Sequence, residues 1–529
     1  MENTIKTMAK HPQTPKIMEI IGRSISLRQA KRHEEALECL EEAIGIDPKF
    51  FPVLVEKGTV LLELARYEEA IECFDRFLKY INNAQVRELR DNCLKLALAS
   101  YELILAQNGS DVEVILKKGD ILQRLHRNDD AVNAYDAAIQ IYVENIANVM
   151  NRKGNSLLYL LKPEAALESY NCALQMSPHN AAFLFNRGNV LQKLARMEEA
   201  IESYDLALKW APGLAEAKME RSQCRLAQGD FKQGFQEYES RWETVQLKDA
   251  RLRSPNPLWL GKENLAGKTI LLWAEQGYGD SIQFLRYVPL VAQIAGKTIL
   301  RVPPLLQALA ESLDRRVSII NSEDDLPPHD FNCPLMSLPL AFGTTLESIP
   351  TNTPYLSAGT DQVKKWQDRL GPRKRPRIGL AWAGRRREPV NHTRDMGLEV
   401  FLPLVSFDID IISLQKEIPD QDRPVLASMR QLIRVGEELS DFADTAALLK
   451  NLDLVITVDT VVAHLAGALG KPVWIMLRNY GEWRWLLRRS DSLWYPTARI
   501  FRQKTPGDWA GVVSDMVQQL DALLSNSLH

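Results

Sequence analysis

The stretch KTILLWAEQGYGDSIQFLRYVP, from Lys268 to Pro289, decides the fold of the second half of this 529-residue chain. Its apolar run from Thr269 to Ala274 is typical of a buried parallel strand. Gly277 and Gly279 then allow a tight turn, and a helical pattern begins near Ser281. A strand, a tight turn and a helix in this order indicate an α/β sheet.

Asp280 lies at the junction between that strand and that helix. Aspartate is a preferred residue at a helix N-terminus, so Asp280 has one interpretation as a simple cap. The end of a strand next to a helix N-terminus is also the usual ligand position of an open α/β sheet, which gives it a second interpretation as a functional acid. Gly507-Asp508, before the last predicted helix, shows that a Gly-Asp pair alone does not decide between them.

The composition is that of a soluble globular protein of two or three domains, with 45% hydrophobic and 25% charged residues. The net charge of -3 gives no general attraction to nucleic acid or to an acidic membrane. The six cysteines form no CxxC pair, which favours a reducing, cytoplasmic location. Neither an apolar leader nor an apolar run of about 18 residues is found, so we predict neither secretion nor a membrane span.

Small residues and prolines recur every 34 residues in the first half of the chain. The pairs are Gly154 and Gly188, Ala166 and Ala200, Ala173 and Ala207, and Pro178 and Pro212. This spacing resembles the tetratricopeptide repeat, in which two antiparallel helices approach closely at the small residues. Five repeats are recognisable, and a degraded sixth ends in FKQGFQEYESRW, so we predict a repeat array over residues 1–245.

The period breaks once, because Gly58 and Gly119 lie 61 residues apart. The extra residues, 84–107, have helical periodicity and are predicted to add a helix to the array. Repeats of this type leave a concave face for a polypeptide or another domain. Asn155 and Asn189, each directly after a repeat glycine, are candidates to bind an acceptor peptide there; ordinary solvated helix polarity is the alternative.

Helical periodicity stops at residues 246–267, where proline, glycine and asparagine cluster, and we predict a linker there. Alternating strands and helices follow in residues 268–362 and 377–529, separated by a charged linker over 363–376. We predict an α-solenoid of repeats followed by two Rossmann-like α/β domains that face a cleft, although periodicity also permits one large sheet. The predicted strands are Thr269–Ala274, Thr298–Val302, Val317–Asn321, Phe331–Pro334, Arg377–Ala383, Ile409–Leu414, Leu454–Val458 and Pro472–Leu477.

The second informative stretch is LVITVDTVVAHLAGALGKPVWIML, from Leu454 to Leu477, which reads as strand, turn, helix, turn and strand. Asp459 ends the first strand and Thr460 can cap the helix. The free N–H groups of Val461 and Val462 would then point toward an anion such as a nucleotide phosphate. His464, one turn later, faces either the cleft or the packing side.

Gly279-Asp280 and the segment DTVVAHLAGALGKP, from Asp459 to Pro472, resemble the heptosyltransferase-type glycosyltransferases of GT-B fold. The whole chain resembles more closely the bacterial tetratricopeptide-repeat glycosyltransferases, some of which modify flagellin. The segments that carry this second resemblance are AEQGYGDSIQFLRYVP, CPLMSLPLAFGTTLESIP, DFADTAALLKNLDLVITVDTVVAHLAGALGKPVW, WRWLL, WYPTARIFRQ and GDW.

The resemblance implies that Asp280 is the general base for the acceptor hydroxyl. It also implies a donor-binding set on both sides of the cleft. The members of that set are Gln276, Gly277, Gly279, Arg394, Lys416, Asp459, Thr460, Val461, Val462 and His464. Arg385–Arg387, in the same segment as Arg394, have an alternative interpretation as a solvated charge run, and Lys416 has one as an exposed loop lysine.

No metal or other cofactor is predicted. Asp408-Ile409-Asp410 matches a metal-binding DxD pattern, but it lies at the start of a predicted strand, whereas ligands bind at the carboxyl ends of parallel strands. Trp483, Trp485 and Tyr495 have two interpretations, as residues that line the cleft or as interdomain core.

The leading prediction is inverting, metal-independent transfer of a sugar from a nucleotide sugar to a Ser or Thr hydroxyl of a protein that the repeats recruit. Relatives suggest a hexosyl or nonulosonate donor and flagellin as an acceptor. One alternative is an adaptor whose α/β half binds nucleotide without catalysis. A sugar-nucleotide epimerase is another, although it would not need a protein-binding array.

Overall fold

The structure is a computed structural model that describes residues 14–48, 50–81, 83–108, 111–141, 146–384, 396–429, 431–480 and 482–526. The chain divides into two compact units, Met1–Val190 and Leu191–His529. Each unit has a hydrophobic core of its own and is described separately.

The described part of the first unit consists of antiparallel helices, as the 34-residue period predicts. The helices are α1 (Thr14–Gln29), α2 (His33–Ile46), α3 (Pro52–Glu63), α4 (Tyr67–Leu78), α5 (Ala84–Gln107), α6 (Val112–Arg124), α7 (Asn128–Ile141), α8 (Ile146–Tyr159), α9 (Pro163–Met176) and α10 (Ala181–Lys193), the last of which crosses the boundary. The inserted segment 84–107 is the single long helix α5.

The repeat glycines make room for an aromatic ring of the partner helix. A Cβ atom added at Gly154 would lie 2.6 Å from the Tyr170 ring, and one at Gly119 would lie 2.4 Å from the Tyr135 ring. Such distances are shorter than van der Waals contact, so no side chain fits at these positions. The close approach of the paired helices therefore explains the glycine in the repeat pattern.

Gly154→Ala is expected to lower the free energy of unfolding of the array by about 1–3 kcal/mol, because the methyl group overpacks the helix interface. Gly22→Ala is the matched control: Gly22 is also helical, and nothing lies within 4 Å of its Cβ position. That change is expected to stabilise by up to about 1 kcal/mol through helix propensity. Urea denaturation followed by circular dichroism measures both, and equal effects would contradict the packing explanation.

The second unit begins with the last repeat helices. They are α11 (Met197–Trp210), α12 (Ala215–Gln228) and α13 (Phe231–Tyr238), followed by a 3-10 turn at Glu239–Glu243. Phe231 and Phe235 of α13 belong to the same buried cluster as the α/β residues. The end of the repeat array and the α/β region therefore share one core.

The first sheet has four parallel strands in the order β3-β2-β1-β4. The strands are β1 (Thr269–Trp273), β2 (Lys297–Val302), β3 (Val317–Asn321) and β4 (Phe331–Pro334), and the helices are α14 (Tyr278–Phe284), α15 (Val288–Ile294), α16 (Pro304–Ala310) and α17 (Leu338–Ala341). Helix α14 begins three residues earlier than predicted, at Tyr278. Within the predicted linker 246–267, Leu258 forms a parallel bridge with Asn332 of β4, so this segment lies along the sheet edge.

The second sheet has six parallel strands in the order β10-β9-β8-β5-β6-β7, the doubly wound order of dinucleotide-binding sheets. Its strands are β5 (Arg377–Ala381), β6 (Asp410–Ser413), β7 (Leu432–Arg434), β8 (Leu454–Val458), β9 (Val473–Leu477) and β10 (Ala498–Arg502). Its helices are α18 (Thr360–Leu370), α19 (Arg423–Leu426), α20 (Phe442–Lys450), α21 (Val461–Ala468) and α22 (Trp509–Asn526). Two separate sheets confirm the prediction of two Rossmann-like halves over that of one large sheet.

Most of the predicted interdomain linker, 363–376, lies in or next to helix α18 rather than in an irregular segment. Trp366 of this helix is buried, and its indole N–H donates to Asp444 Oδ1 of α20 at 2.7 Å. The helix therefore packs against the second sheet's domain.

Arg286 connects the two α/β halves of this unit. Its guanidinium is buried, donates to the carbonyl oxygens of Trp494 (2.8 Å) and Pro350 (3.1 Å), and lies 4.8 Å from the Tyr495 ring centroid. A fully desolvated arginine is held in this way only where several partners converge, so the contact fixes the two halves relative to each other. None of the described helices is both long and apolar enough to cross a bilayer.

Candidate functional site

A cleft of about 800 Å³ lies between the two sheets of the second unit, at the carboxyl ends of strands β1, β5, β6 and β8. This is the position at which open α/β sheets bind ligands. Ten of the residues predicted to form the site line it: Gln276, Gly277, Gly279, Asp280, Lys416, Asp459, Thr460, Val461, Val462 and His464. Arg394, the other predicted donor-binding residue, lies outside the described residues.

Asp280 is both a helix-capping residue and a cleft residue. It is the third residue of α14, and its Oδ2 accepts a hydrogen bond from the N–H of Gly277 at 3.0 Å. Its other carboxylate oxygen forms an ion pair with Arg484. The cap interpretation and the functional interpretation are therefore compatible, because Oδ2 caps the helix while Oδ1 contacts Arg484 in the cleft.

Burial raises the pKa of the Asp280 carboxyl above its ordinary value. The Arg484 guanidinium opposes that rise, and the nearby Glu482 carboxylate adds to it. A carboxylate with a raised pKa accepts a proton more readily than an exposed one, which suits a general base.

The short 3-10 turn Trp483–Trp485, which we call the WRW turn, contacts three parts of the unit at once. The ring centroid of Trp483 lies 5.6 Å from that of Phe235 in the last repeat helix. Arg484 pairs with Asp280 of the first sheet's domain. Trp485 donates its indole N–H to Asp459 Oδ1 at 2.9 Å. Three consecutive side chains therefore connect the end of the repeats, Asp280 and Asp459.

Arg484 is the functional candidate that the sequence interpretation missed. Its side chain is only 8% exposed, its Nη1 donates to Glu482 Oε2 at 2.8 Å, and its guanidinium carbon lies 4.5 Å from the Trp483 ring. The signal in the sequence is an arginine between two tryptophans. Trp483, Trp485 and Tyr495 are all buried, which supports their interpretation as interdomain core.

The turn between β8 and α21 has its predicted position, but one detail differs. Thr460 is the N-cap residue of α21, yet its hydroxyl does not cap the helix. Its Oγ1 lies instead 3.1 Å from Thr457 Oγ1. Val461 and Val462 are the first helical residues and line the cleft, so their N–H groups belong to the helix turn that lacks intrahelical acceptors.

His464 both lines the cleft and packs against buried aromatic residues, so the two alternatives that the sequence permits are not exclusive. It lines the cleft, its ring stacks on Trp485 with centroids 5.3 Å apart, and its Nδ1 lies 3.0 Å from the Tyr495 hydroxyl. Burial, together with the positive charges of Arg484 and Arg286, holds the pKa of His464 well below its ordinary value. The imidazole is therefore neutral and contributes no positive charge to the cleft.

Gly279 lies at a close approach of the two halves. A Cβ atom at this position would lie 2.8 Å from His464 Cδ2, which is shorter than contact distance. Glycine is therefore required here by the packing of the Asp280 loop against α21, in addition to any role in donor binding.

Lys416 lines the cleft, and its Nζ donates to the carbonyl oxygen of Leu439 at 3.0 Å. Asp408, part of the DxD pattern, lies at the amino end of β6 and pairs with Arg375 at 2.8 Å, away from the carboxyl ends of the strands. In the part of the chain that the structure describes, no group of three or more His, Cys, Asp or Glu side chains is arranged to hold a metal.

The two candidate acceptor-binding asparagines lie on repeat helices. Asn155 of α8 is half-buried, and its Oδ1 accepts a hydrogen bond from the Tyr170 hydroxyl at 2.7 Å. Asn189 of α10 is also half-buried. Asn155 is thus held by the repeat rather than solvated on all sides, and its contact with a peptide stays a prediction.

Known families match the predicted repeat array and the predicted α/β region separately. The tetratricopeptide repeat family matches residues 27–93 and 151–215. Glycosyltransferase family 9 (heptosyltransferase) matches residues 439–478, from just before α20 to just past β9. The chain is therefore similar to tetratricopeptide-repeat proteins over residues 27–93 and 151–215, and to the heptosyltransferase-type glycosyltransferases over residues 439–478. The family 9 match contains Asp459 and His464 and supports glycosyl transfer as the general class of activity, whereas Asp280 and Arg484 lie outside it.

The chain is 23% identical over 453 residues to Protein FlbA of Caulobacter vibrioides, with 79% of the chain and 74% of the relative covered. Among solved structures, MamA is 16% identical and covers 32% of the chain and 99% of its own length, with a TM-score of 0.28. A tetratricopeptide repeat protein from Parabacteroides merdae is 15% identical and covers 44% of the chain and 95% of its own length, with a TM-score of 0.28.

Proposed function

We propose that this protein transfers a sugar, with inversion, from a nucleotide-sugar donor to a Ser or Thr hydroxyl of a protein acceptor. One observation carries the proposal: the Asp280 carboxylate and the Asp459 to His464 motif of the glycosyltransferase family 9 segment line the same cleft from opposite halves. A base on one side and a phosphate-binding turn on the other are the two parts that direct displacement of a nucleotide requires.

In the proposed reaction the acceptor hydroxyl oxygen attacks the anomeric carbon of the donor sugar. Its proton passes to the Asp280 carboxylate while the bond from the anomeric carbon to the phosphate oxygen breaks. The nucleotide then leaves with the bonding electron pair. General-base assistance of this type contributes about 10²- to 10⁴-fold to the rate.

In this proposal, groups of the protein stabilise the negative charge of the leaving phosphate. It includes no metal or other cofactor. The N–H groups at the start of α21 supply one positive end of a helix dipole, and Lys416 supplies a cation in the cleft wall. Arg394 stays a predicted contributor, since its place lies outside the described residues. Such charges act most strongly where the cleft excludes water.

The repeats are proposed to recruit the acceptor, because arrays of this type typically bind polypeptides along their concave face. Asn155 and Asn189 are the candidate contacts to the acceptor backbone. Flagellin is proposed as an acceptor on the strength of the resemblance alone.

The test is incubation of the protein with UDP-, ADP-, GDP- and CMP-sugars and flagellin, followed by intact mass spectrometry of the flagellin. A mass increment of a hexose or a nonulosonate, with release of one equivalent of nucleotide, is the expected result. Nucleotide release without acceptor modification would indicate hydrolysis or epimerisation instead. Binding of flagellin with neither modification nor nucleotide release would favour a non-catalytic adaptor.

A further inference from the structure

The Asp280–Arg484 ion pair opposes the proposed reaction, because the guanidinium stabilises the ionised carboxylate and so works against the burial that raises the pKa of Asp280. We propose that Arg484 exchanges partners during the reaction, from the Asp280 carboxylate to the phosphate of the departing nucleotide. The exchange rests on the proposed function, since it assigns a residue to the leaving group of that same transfer.

Position supports the exchange. Among the described residues that line the cleft, Arg484 and Lys416 are the two cations. Both have protein partners, Lys416 the carbonyl oxygen of Leu439 at 3.0 Å and Arg484 the carboxylates of Asp280 and Glu482. Arg484, however, lies between the two halves, and its charge acts on both Asp280 and Asp459. Arg484 is therefore the cation that neighbours both the proposed base and the donor-side turn.

The hydrogen bonding of Arg484 is incomplete. A guanidinium has five N–H donors in a rigid fork. Nη1 donates to Glu482 and Nη2 to Asp280, but Nε is buried and has no hydrogen-bond partner within the described part of the chain. A phosphate oxygen is the kind of acceptor that such a fork binds, often in a bidentate manner. The unsatisfied Nε is thus a donor, independent of the ion pair, that a phosphate oxygen could satisfy.

The reason for the exchange is that negative charge moves from Asp280 to the leaving phosphate during the reaction. As Asp280 takes the acceptor proton, its negative charge disappears while negative charge grows on the leaving phosphate. Arg484 would then lose one anionic partner at the moment when another forms within the same cleft. Glu482 stays paired throughout, and the neutral His464 does not compete for the anion. Arg484 therefore couples proton transfer to departure of the nucleotide.

Asp280→Asn imitates the protonated carboxyl group and so tests the exchange directly. If Arg484 is released when Asp280 becomes neutral, this variant should bind the product nucleotide about tenfold more tightly than the natural protein. The probes are UDP, ADP, GDP and CMP, each titrated into the full-length protein by calorimetry. The gain should vanish in Asp280→Asn/Arg484→Met, and it should be largely lost in Asp280→Asn/Arg484→Lys, which keeps the charge but not the fork.

Asp441→Asn is the matched control. Asp441 also lines the cleft, and its Oδ1 accepts a hydrogen bond from the N–H of Asp444 rather than from Arg484. Asparagine preserves that helix cap, so the variant removes a cleft charge without touching the exchange. Any effect of Asp441→Asn on nucleotide binding should be the same in the natural protein and in the Arg484→Met background.

The outcomes separate the two proposals. Equal nucleotide affinity for the natural protein and Asp280→Asn, or a gain that persists without Arg484, would overturn the exchange and leave the proposed transferase function standing. Absence of binding by every variant to all four nucleotides would overturn the proposed donor class and the exchange with it.

Discussion

Asp280→Asn is expected to lower the rate of sugar transfer by about 10²- to 10⁴-fold, because the variant lacks the proposed general base. The fold should persist: the asparagine oxygen can still accept the hydrogen bond that Asp280 Oδ2 receives from Gly277 N–H. Initial rates at saturating donor measure the effect. A variant with the natural turnover would remove Asp280 from the chemistry.

Asp508→Asn is the control for this prediction. Asp508 also follows a glycine and precedes a helix, and its Oδ1 accepts a hydrogen bond from the N–H of Gly511 at 2.8 Å. It does not belong to the residues that line the cleft. We expect its substitution to leave transfer essentially unchanged, which separates the loss of a helix-capping charge from the loss of a base.

The pH dependence of transfer provides a second measurement of the same role. Only the ionised carboxylate accepts a proton, so the rate of the natural protein should fall as the pH is lowered through the pKa of Asp280. Because burial raises that pKa, the fall should begin at a higher pH than for an exposed aspartate. The residual activity of Asp280→Asn should lack this limb.

Local patterns were sufficient to predict the parts of the site that lie on single strand-turn-helix units. Asp280 follows β1 and Asp459 follows β8, and both strands are apolar runs that bury nearly every residue. Two other strands were missed for physical reasons: β7 has only three residues, and β10 carries arginines at positions 499 and 502 that disrupt its apolar pattern. A strand can therefore be predicted where its own residues are numerous and apolar enough to indicate that it is buried.

Arg484 could not be predicted in the same way. Its partner Asp280 lies 204 residues away in the sequence, and nothing near either residue indicates the other. The same limit applies to the end of the repeat array. Periodicity ends near residue 245, yet Phe231 and Phe235 pack on Trp483 of the α/β region, a contact that only the folded chain reveals.

A buried ion pair beside the cleft gives the largest expected effect on stability. Arg241, in the turn that ends the repeats, is fully buried and donates to both carboxylate oxygens of Glu275, at 3.0 and 2.9 Å. Glu275 directly precedes the cleft residue Gln276, whose backbone has a positive φ of 57°. The pair therefore connects the end of the repeats to the loop that carries Asp280.

Arg241→Met is expected to lower the free energy of unfolding of the second unit by about 3–5 kcal/mol, since it leaves Glu275 buried without its counter-ion. Guanidinium denaturation followed by tryptophan fluorescence measures this, because the indole of Trp242 lies against Arg241. Arg196→Met is the matched control: Arg196 forms the same forked pair with Glu199, but both side chains are more than 40% exposed, and we expect a cost of at most about 1 kcal/mol.

Two further measurements test whether the loss of stability in Arg241→Met comes from the unpaired charge of Glu275 or from lost side-chain packing. Arg241→Met/Glu275→Met removes both charges of this pair. Glu239, the other carboxylate partner of Arg241, is partly exposed and remains in both variants, so the double variant should be more stable than Arg241→Met alone. Burial already raises the pKa of Glu275, and loss of Arg241 removes the charge that opposes this rise. Protonation of Glu275 should therefore relieve the single variant, and its deficit should grow as the pH rises above the ordinary glutamate value of 4.5. A deficit that is independent of pH and equal in the double variant would instead assign the effect to packing.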